Sequence, residues 1–136
     1  MALDRNLIAR FEASLAQCLV DQAFLTRFYD LFVESSPAVA EKFHGTDFQR
    51  QRRATAASLY VIVLALEQGE AATLYLNQIA RQHGRGNLDV RPEMYEAWRD
   101  CLLQAVKEFD PLFSDEIEQA WRKVADFAID FMRERY

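Results

Sequence analysis

The sequence predicts an all-α protein with six or seven helices packed around one core. Along most of the chain, apolar residues recur at spacings of three and four, which is the period of one helix face. Residues that break helices are few, with four Gly and three Pro among 136 residues, and this is typical of long helices joined by short connections. No stretch alternates apolar and polar residues for long enough to predict a strand.

The first two helices are predicted from their caps and from their apolar faces. Asp4 can cap a helix that runs to about Val20, because a carboxylate accepts hydrogen bonds from the free N–H groups of a first turn. Asp21 can begin a second helix that runs to about Glu34. The first face contains Leu7, Ile8, Phe11, Leu15 and Cys18, and the second contains Phe24, Leu25, Phe28, Leu31 and Phe32, with Tyr29 beside it.

Two further helix starts divide the middle of the chain. Ser36-Pro37 places a cap before a proline, which predicts a short helical segment that ends near Phe43. Thr46-Asp47-Phe48-Gln49 has the form of a capping box, with threonine at the cap and glutamine three residues later. A long helix is therefore expected from this point to about Gln68.

Gly69 separates that helix from a fifth one, which ends at His83. Leu76, Ile79 and His83 share one face, and this face is apolar except for its last residue. Gly84-Arg85-Gly86 follows, and glycine supplies the left-handed backbone that a helix end often needs. We therefore expect His83 to lie on a rigid element and to point inward. Neutral imidazole is the commonest protein ligand of a transition metal, although a histidine here can also be a packing residue.

Two long helices complete the predicted architecture. After a loop over 87–90, Pro92 can begin the sixth helix, which ends before Asp110-Pro111. Ser114 can cap the last helix, and Asp115-Glu116 in its first turn complements the helix dipole. The inner side of the sixth helix carries Tyr95, Trp98, Cys101, Leu102 and Ala105, and that of the last carries Ile117, Trp121, Val124, Phe127, Ala128 and Phe131.

Length and charge restrict the classes of function. A chain of 136 residues predicts a single domain over 1–136, and the net charge of -5 argues against a nucleic-acid partner. No apolar run is long enough for a membrane span, and the start shows no signal peptide, so we expect a cytoplasmic protein without a membrane partner. Cys18 and Cys101 lie far apart, and we expect two small buried hydrophobes rather than a disulfide.

A series of residues in fixed order and spacing runs through these helices. It comprises Phe28-Tyr29, Pro37 and Phe43, Gln51, His83, Tyr95 in a Tyr-x-x-Trp start to the sixth helix, and Ala120-Trp121 in the last helix. The series resembles the globin family, and in particular the single-domain bacterial haemoglobins and the globin domain of flavohaemoglobins. The resemblance covers nearly the whole chain and implies a globin fold, with six to seven helices around a haem pocket.

The resemblance implies that the cofactor is haem b, iron protoporphyrin IX, with His83 as its proximal axial ligand. One fixed imidazole leaves the opposite coordination position open for O2, NO or CO. By the same resemblance, Phe43 stacks against the porphyrin, although an ordinary core aromatic fits the composition equally well. Trp98 can line the haem cavity or lie only between helices.

Tyr29 and Gln51 match the distal positions of the family. A phenol hydroxyl and a carboxamide N–H are hydrogen-bond donors, and donors stabilise bound dioxygen. The alternative for Tyr29 is a core tyrosine bonded to a backbone carbonyl. The alternative for Gln51 is a solvated helix residue. Thr55 lies one turn after Gln51, where the family usually has an aliphatic residue, and its hydroxyl can add a polar contact or bond to the Gln51 carbonyl.

On the proximal side, bacterial relatives often support the histidine with a carboxylate on the last helix and a tyrosine on the sixth. Tyr95 matches the tyrosine. The carboxylate position falls on Tyr136, and Glu134 is the nearest acid. Without that carboxylate, we expect Nδ1–H of His83 to bond a carbonyl of the preceding turn, such as that of Ile79.

Three classes of function follow from the resemblance. The first is a protein that binds dioxygen reversibly, for oxygen transport or for gas scavenging, with NO and CO as further ligands. The second is an NO dioxygenase, for which we expect a separate reductase, since the sequence contains no flavin or nicotinamide domain. The third is a gas sensor or interaction module. Either a monomer or a homodimer is compatible with the sequence.

Overall fold

The computed structural model describes residues 4–67 and 69–136, and within these ranges the chain forms seven α-helices without a strand. The prediction of an all-α protein with six or seven helices is therefore confirmed. The expected end of the fourth helix at Gln68 and the start of the chain at 1–3 lie outside the described residues. The helices are α1 (Arg5–Leu19), α2 (Ala23–Ser35), α3 (Pro37–Lys42), α4 (Phe48–Leu66), α5 (Glu70–His83), α6 (Pro92–Phe109) and α7 (Asp115–Glu134).

Side chains cap α1, α3 and α7 at the residues that the sequence predicts. Asp4 accepts the N–H of Asn6 before α1, and Ser36 accepts that of Val39 at the start of α3. Ser114 does the same for α7, accepting from the Ile117 N–H. Each of these bonds satisfies a backbone donor that has no partner within its own helix.

The cap of α4 differs from the prediction. Asp47, and not Thr46, is the cap residue, because Asp47 has an extended backbone and its carboxylate accepts the N–H of Arg50. A carboxylate at this place also complements the positive end of the helix dipole. The capping box predicted from Thr46 to Gln49 is therefore wrong, and the helix begins at Phe48, one residue later than a cap at Thr46 implies.

The core lies where α1, α2, α6 and α7 meet. Trp121 of α7 is 1% exposed, and its ring lies 4.6 Å from that of Phe11 and 6.2 Å from that of Phe24, measured between centroids. Such aromatic pairs each contribute about 0.5–1.5 kcal/mol beyond the apolar area that they bury. This core fixes α2, α6 and α7 relative to one another, and these helices form part of the site described below.

The two cysteines are free, as expected. Cys18 is fully buried in the core, which confirms that it is a small buried hydrophobe. Cys101 is only half-buried, so that expectation holds for it in part. Within the described ranges, no helix is both long enough and apolar enough to cross a membrane.

Candidate functional site

A cavity of about 470 Å³ opens beside the core. Its volume lies within the range of about 300–1,000 Å³ that is usual for pockets of small molecules and cofactors. Helices α2 to α7 all contribute to its wall, and most of the lining side chains are apolar. The predicted site residues Tyr29, Phe43, Gln51, Thr55, His83, Tyr95 and Trp98 all line it.

His83 is the last residue of α5 and lies half-buried in the cavity wall. Its Nδ1 is 2.7 Å from the carbonyl oxygen of Ile79, one turn earlier, so the predicted bond to this carbonyl is confirmed. Because a carbonyl can only accept, Nδ1 carries the proton, and Nε2 of the neutral ring keeps a free lone pair. The bond thus fixes both the tautomer and the orientation of the imidazole.

The loop after α5 folds back and closes the end of this helix. The Val90 N–H donates to the carbonyl of His83 over 2.8 Å, and the Leu88 N–H donates to that of Gln82 over 3.0 Å. The Asn87 side chain donates to the Arg81 carbonyl over 2.8 Å. The last carbonyls of α5, which have no partner within the helix, are thereby satisfied. The end of α5, which carries His83, is therefore fixed by hydrogen bonds to the loop.

The expected role of the glycines after His83 is wrong. Gly84 has φ -72 and ψ 175, which is extended backbone rather than the left-handed conformation. Among the described non-glycine residues it is Asp89 that has a positive φ, of 51°, and its N–H donates to the Gly84 carbonyl. Glycine at position 84 instead avoids a close contact, because a Cβ there would lie 3.3 Å from the Arg81 carbonyl oxygen.

A hydrogen-bonded trio of Tyr29, Gln51 and Thr55 forms another part of the wall. Gln51 and Thr55 are four residues apart on α4, so both reach Tyr29 of α2 from one face. Gln51 Nε2 donates to the Tyr29 hydroxyl over 3.1 Å. The Thr55 hydroxyl lies 2.5 Å from the same oxygen, and either of the two can donate. The structure therefore brings all three residues together, and the Thr55 hydroxyl bonds the Tyr29 hydroxyl, a partner that the sequence analysis did not predict.

The environment of Tyr29 keeps its phenol protonated. Burial raises the pKa of Tyr29, while the hydrogen bonds of Thr55 and Gln51 act in the opposite direction. The side chain is 5% exposed. Because the resulting pKa is above its ordinary value, the hydroxyl retains its proton at neutral pH and can serve as a hydrogen-bond donor.

Aromatic rings fix the position of Tyr29 and Phe43. The two rings meet edge to face with centroids 5.5 Å apart, and Phe48 packs against both. Phe43 is partly buried, packs against the core cluster and lines the cavity as well. Its stacking against a porphyrin stays a prediction.

Tyr95 and Trp98 contribute the α6 side of the cavity. Burial, together with the nearby Tyr136, raises the pKa of Tyr95 to about 12. Within the described part of the chain, no hydrogen bond joins Tyr95 and His83. Tyr95 therefore contributes to the site as a residue of the cavity wall. Its support of the histidine stays a prediction.

Tyr136, on which the carboxylate position of the family was expected to fall, contacts the loop after α5. Its hydroxyl donates to the Asp89 carboxylate, and the Arg85 guanidinium lies 4.8 Å from the centre of its ring. Glu134 is exposed and pairs with Arg135. Within residues 4–67 and 69–136, neither side chain is hydrogen-bonded to His83, whose Nδ1 bonds the Ile79 carbonyl instead.

Lys42 is a wall residue that the sequence did not single out. Its Nζ donates to the Leu88 carbonyl over 2.6 Å, which joins the end of α3 to the loop after His83. Both residues line the cavity. An exposed lysine has no distinguishing pattern in sequence, and its position next to Phe43 was the only available signal.

Comparison with known proteins places this cavity in a family context. The family model described as Globin matches residues 26–132. A globin-like protein of Aquifex aeolicus is 31% identical over 102 residues, which cover 74% of this chain and 70% of that protein. A flavohemoprotein of Bacillus anthracis is 30% identical over 117 residues, which cover 82% of this chain but only 28% of the relative.

The architecture is also similar to that of a solved structure. A crystal structure of a Pseudomonas aeruginosa PAO1 protein, described as structurally highly homologous to a human hemoglobin, superposes with a TM-score of 0.91. The two chains are 32% identical, and the match covers 96% of this chain and 98% of the other. The similarity thus extends over nearly the whole of both chains.

Proposed function

Because the chain belongs to the globin family, we propose that it binds haem b in the cavity and takes up dioxygen reversibly, with NO and CO as further ligands. The observation that carries the proposal is the His83 imidazole, which lies in the cavity wall with Nδ1 tied to Ile79 and Nε2 free. Oxygen transport and gas scavenging both fit such a site.

The residues present fit a haem group. The cavity of about 470 Å³ is lined mainly by apolar side chains, which suits a large flat macrocycle. Nε2 of His83 supplies the nitrogen ligand that haem iron requires, and its orientation is fixed by the Ile79 carbonyl. Family membership and the similarity to flavohemoproteins support the same cofactor.

When bound, haem would supply an iron to which a diatomic gas can bind. His83 would hold this iron, and Tyr29 and Gln51 would provide hydrogen-bond donors to the gas. Donors favour a gas that draws electron density onto itself, with an expected stabilisation of about 1–3 kcal/mol per good donor. Dioxygen accepts such density more than carbon monoxide does, so the polar trio favours dioxygen.

NO dioxygenation with a separate reductase is the second candidate. It is favoured by the similarity to flavohemoproteins, of which this chain spans about 28% of the length. In this case the same residues bind dioxygen, and a partner protein provides electrons. A nitrate assay separates this candidate from simple gas binding. NO is added to the oxygenated protein with and without a flavin reductase, and the nitrate formed over many turnovers is measured.

The test of the proposed function is an absorption spectrum of the purified protein and of two histidine variants. We expect a Soret band in the unaltered chain, and its loss in His83→Ala, with recovery when free imidazole is added. His44→Ala is the matched control, because it removes the only other histidine of the chain, which is exposed in the loop after α3. A normal haem spectrum in His83→Ala contradicts the assignment of the ligand.

A further inference from the structure

The outer side of α4 is apolar and exposed. Tyr60 is 42% exposed and Leu64 is 54% exposed, and Ala57, one turn before Tyr60, is exposed as well. The sequence contains no charged residue from Ala54 to Leu66, although 27% of the residues in the chain are charged. A surface helix normally carries charged and polar residues on its outer side, and exposed apolar residues that lie together mark interaction surfaces.

These residues lie on the side of the helix that points away from the cavity. Successive residues of a helix are rotated by about 100° around its axis, so Ala57, Tyr60 and Leu64 lie in one row. By the same rotation, Thr55 and Ile62 lie on the opposite side of α4, where they line the cavity. The cavity therefore does not explain why this row is apolar.

Residues of opposite charge stand at the two ends of the row. Arg53, one turn before Ala57, is exposed, and so is Glu67, one turn after Leu64. Within residues 4–67 and 69–136, the ion pairs of the structure involve other side chains. We call Arg53, Ala57, Tyr60, Leu64 and Glu67 the outer α4 face. Its two charged ends are about 21 Å apart along the helix, at a rise of about 1.5 Å per residue.

The order of these residues makes the outer α4 face complementary to a reversed copy of itself. Arg53 and Glu67 are equally distant in sequence from Tyr60. When two α4 helices lie antiparallel about a two-fold axis at Tyr60, Arg53 of each copy therefore meets Glu67 of the other. Ala57 of each copy lies opposite Leu64 of the other, so that a small side chain faces a large one, and this allows close packing of the two helices.

We propose that the chain forms a two-fold symmetric dimer through the outer α4 face, with the two α4 helices antiparallel. The charges favour a second copy over a different partner. Two chains of net charge -5 repel each other in most orientations, but in this one each positive end meets a negative end. The apolar centre excludes water without burying a charge. A partner of uniform charge would match only one end of the face.

The size of the outer α4 face sets the expected strength of the dimer. A standard interface buries about 800 Å² per partner, and a single helix face provides less. We therefore expect a dissociation constant of about 10–100 µM, which is typical of a weak interface. Sedimentation velocity between about 1 and 500 µM should show a change from the monomer to the dimer coefficient. A monomer coefficient over the whole range overturns the proposal.

Charge reversal tests the antiparallel arrangement. In Arg53→Glu, and likewise in Glu67→Arg, two like-charge contacts replace two ion pairs, so we expect association to be about ten- to hundredfold weaker. A mixture of the two variants should associate again with nearly the original strength. One copy then has two negative ends and the other has two positive ends, so the mixed dimer regains both ion pairs. If the single variants associate as before, or the mixture does not recover, the arrangement is wrong.

Leu64→Lys tests the apolar centre of the face, because it brings two ammonium groups into the contact and should abolish association. Arg122→Glu is the matched control for charge. It changes the net charge as Arg53→Glu does, but Arg122 is an exposed residue of α7, and we expect the dimer to be unaffected. If Arg122→Glu weakens association as much as Arg53→Glu does, the effect is one of net charge and the outer α4 face is not the interface.

The outcomes separate this inference from the proposed function. Among the described residues, those of the outer α4 face are not part of the cavity wall, so the dimer does not depend on haem. A chain that dimerises as described but gives no Soret band contradicts the proposed function and leaves the interface standing. A chain that binds haem and gas but remains a monomer up to about 500 µM contradicts the interface alone.

Discussion

Tyr29 shows how one side chain acquires its role from residues on another helix. Its ring is held by Phe43 and Phe48, and its hydroxyl is bonded by Gln51 and Thr55. Burial keeps its pKa above the ordinary value, so it remains a donor throughout the neutral pH range. A fixed donor loses little side-chain entropy when a gas arrives, because the side chain is already ordered.

Replacing this donor should separate the two gases. In Tyr29→Phe of the haem-loaded protein, dioxygen dissociation should become about five- to hundredfold faster, as expected for the loss of a hydrogen bond to a partly charged acceptor. Carbon monoxide release should change far less. Stopped-flow displacement measures both rates. Tyr60→Phe is the control, since Tyr60 is an exposed tyrosine of α4, and equal acceleration of both gases in Tyr29→Phe would remove the hydrogen-bond argument.

Some site contacts were predictable from sequence because they join residues one helical turn apart. The bond from His83 to Ile79 spans one helical turn, so spacing alone indicated it, and the structure confirms it. Thr55 was different, because the alternatives considered for it were a further polar contact in the pocket and the Gln51 carbonyl, and its bond to Tyr29 of α2 was not among them. The partner that the Thr55 hydroxyl bonds depends on how α2 and α4 pack, and local sequence does not contain that information.

At the scale of elements, helix existence was predictable and helix ends were less so. The seven helices of the described residues lie where the apolar periodicity, or for α3 the Ser36-Pro37 cap, predicts them. At α4, however, Thr46 and Asp47 can both cap, and the choice depends on the turn before them. Gly45 has a φ of 74° there, and the Thr46 N–H donates to the Phe43 carbonyl. Thr46 thus belongs to this turn, and Asp47 is left to cap the helix.

The cap can be tested by comparing two neighbouring substitutions. Asp47→Ala should lower the free energy of unfolding by about 0.5–2 kcal/mol, because the Arg50 N–H loses its acceptor. Thr46→Ala should lower it by clearly less, because the structure gives the Thr46 side chain no role in capping. Denaturant unfolding of both variants provides the measurement. A larger loss for Thr46→Ala would restore the capping box that the sequence suggested.

At the scale of the molecule, the cavity itself was beyond sequence reasoning. Periodicity identifies the buried face of each helix, but the volume left between helices follows from how they pack. The globin resemblance implied such a pocket, and the packing shows how it is built. The core around Trp121 holds α1, α2, α6 and α7 together, while α4 and α5 complete the wall. The core around Trp121, which we call the frame, and the cavity are thus separate parts of one packing arrangement.

A buried polar network joins distant parts of this frame. The Ser14 hydroxyl of α1 donates to the Asp110 carboxylate over 2.6 Å, and the Trp121 indole N–H of α7 donates to Ser14 over 2.8 Å. The Leu112 N–H donates to the other oxygen of Asp110. Ser14 and Asp110 are only 3% and 4% exposed, so each of these bonds replaces one that water can no longer supply. The network connects α1, α7 and the end of α6.

Ser14→Ala should therefore destabilise the whole molecule without changing the site. The substitution leaves a buried carboxylate oxygen and the Trp121 N–H without a partner, and the expected loss in the free energy of unfolding is about 1–3 kcal/mol. Ser35→Ala is the control, since the Ser35 hydroxyl bonds the Phe32 carbonyl at the exposed end of α2. Because Ser14, Asp110 and Trp121 are not among the cavity residues, gas release from the folded, haem-loaded variant should stay unchanged. A stable Ser14→Ala protein with altered gas release would show that frame and cavity are coupled, contrary to the separation inferred from their packing.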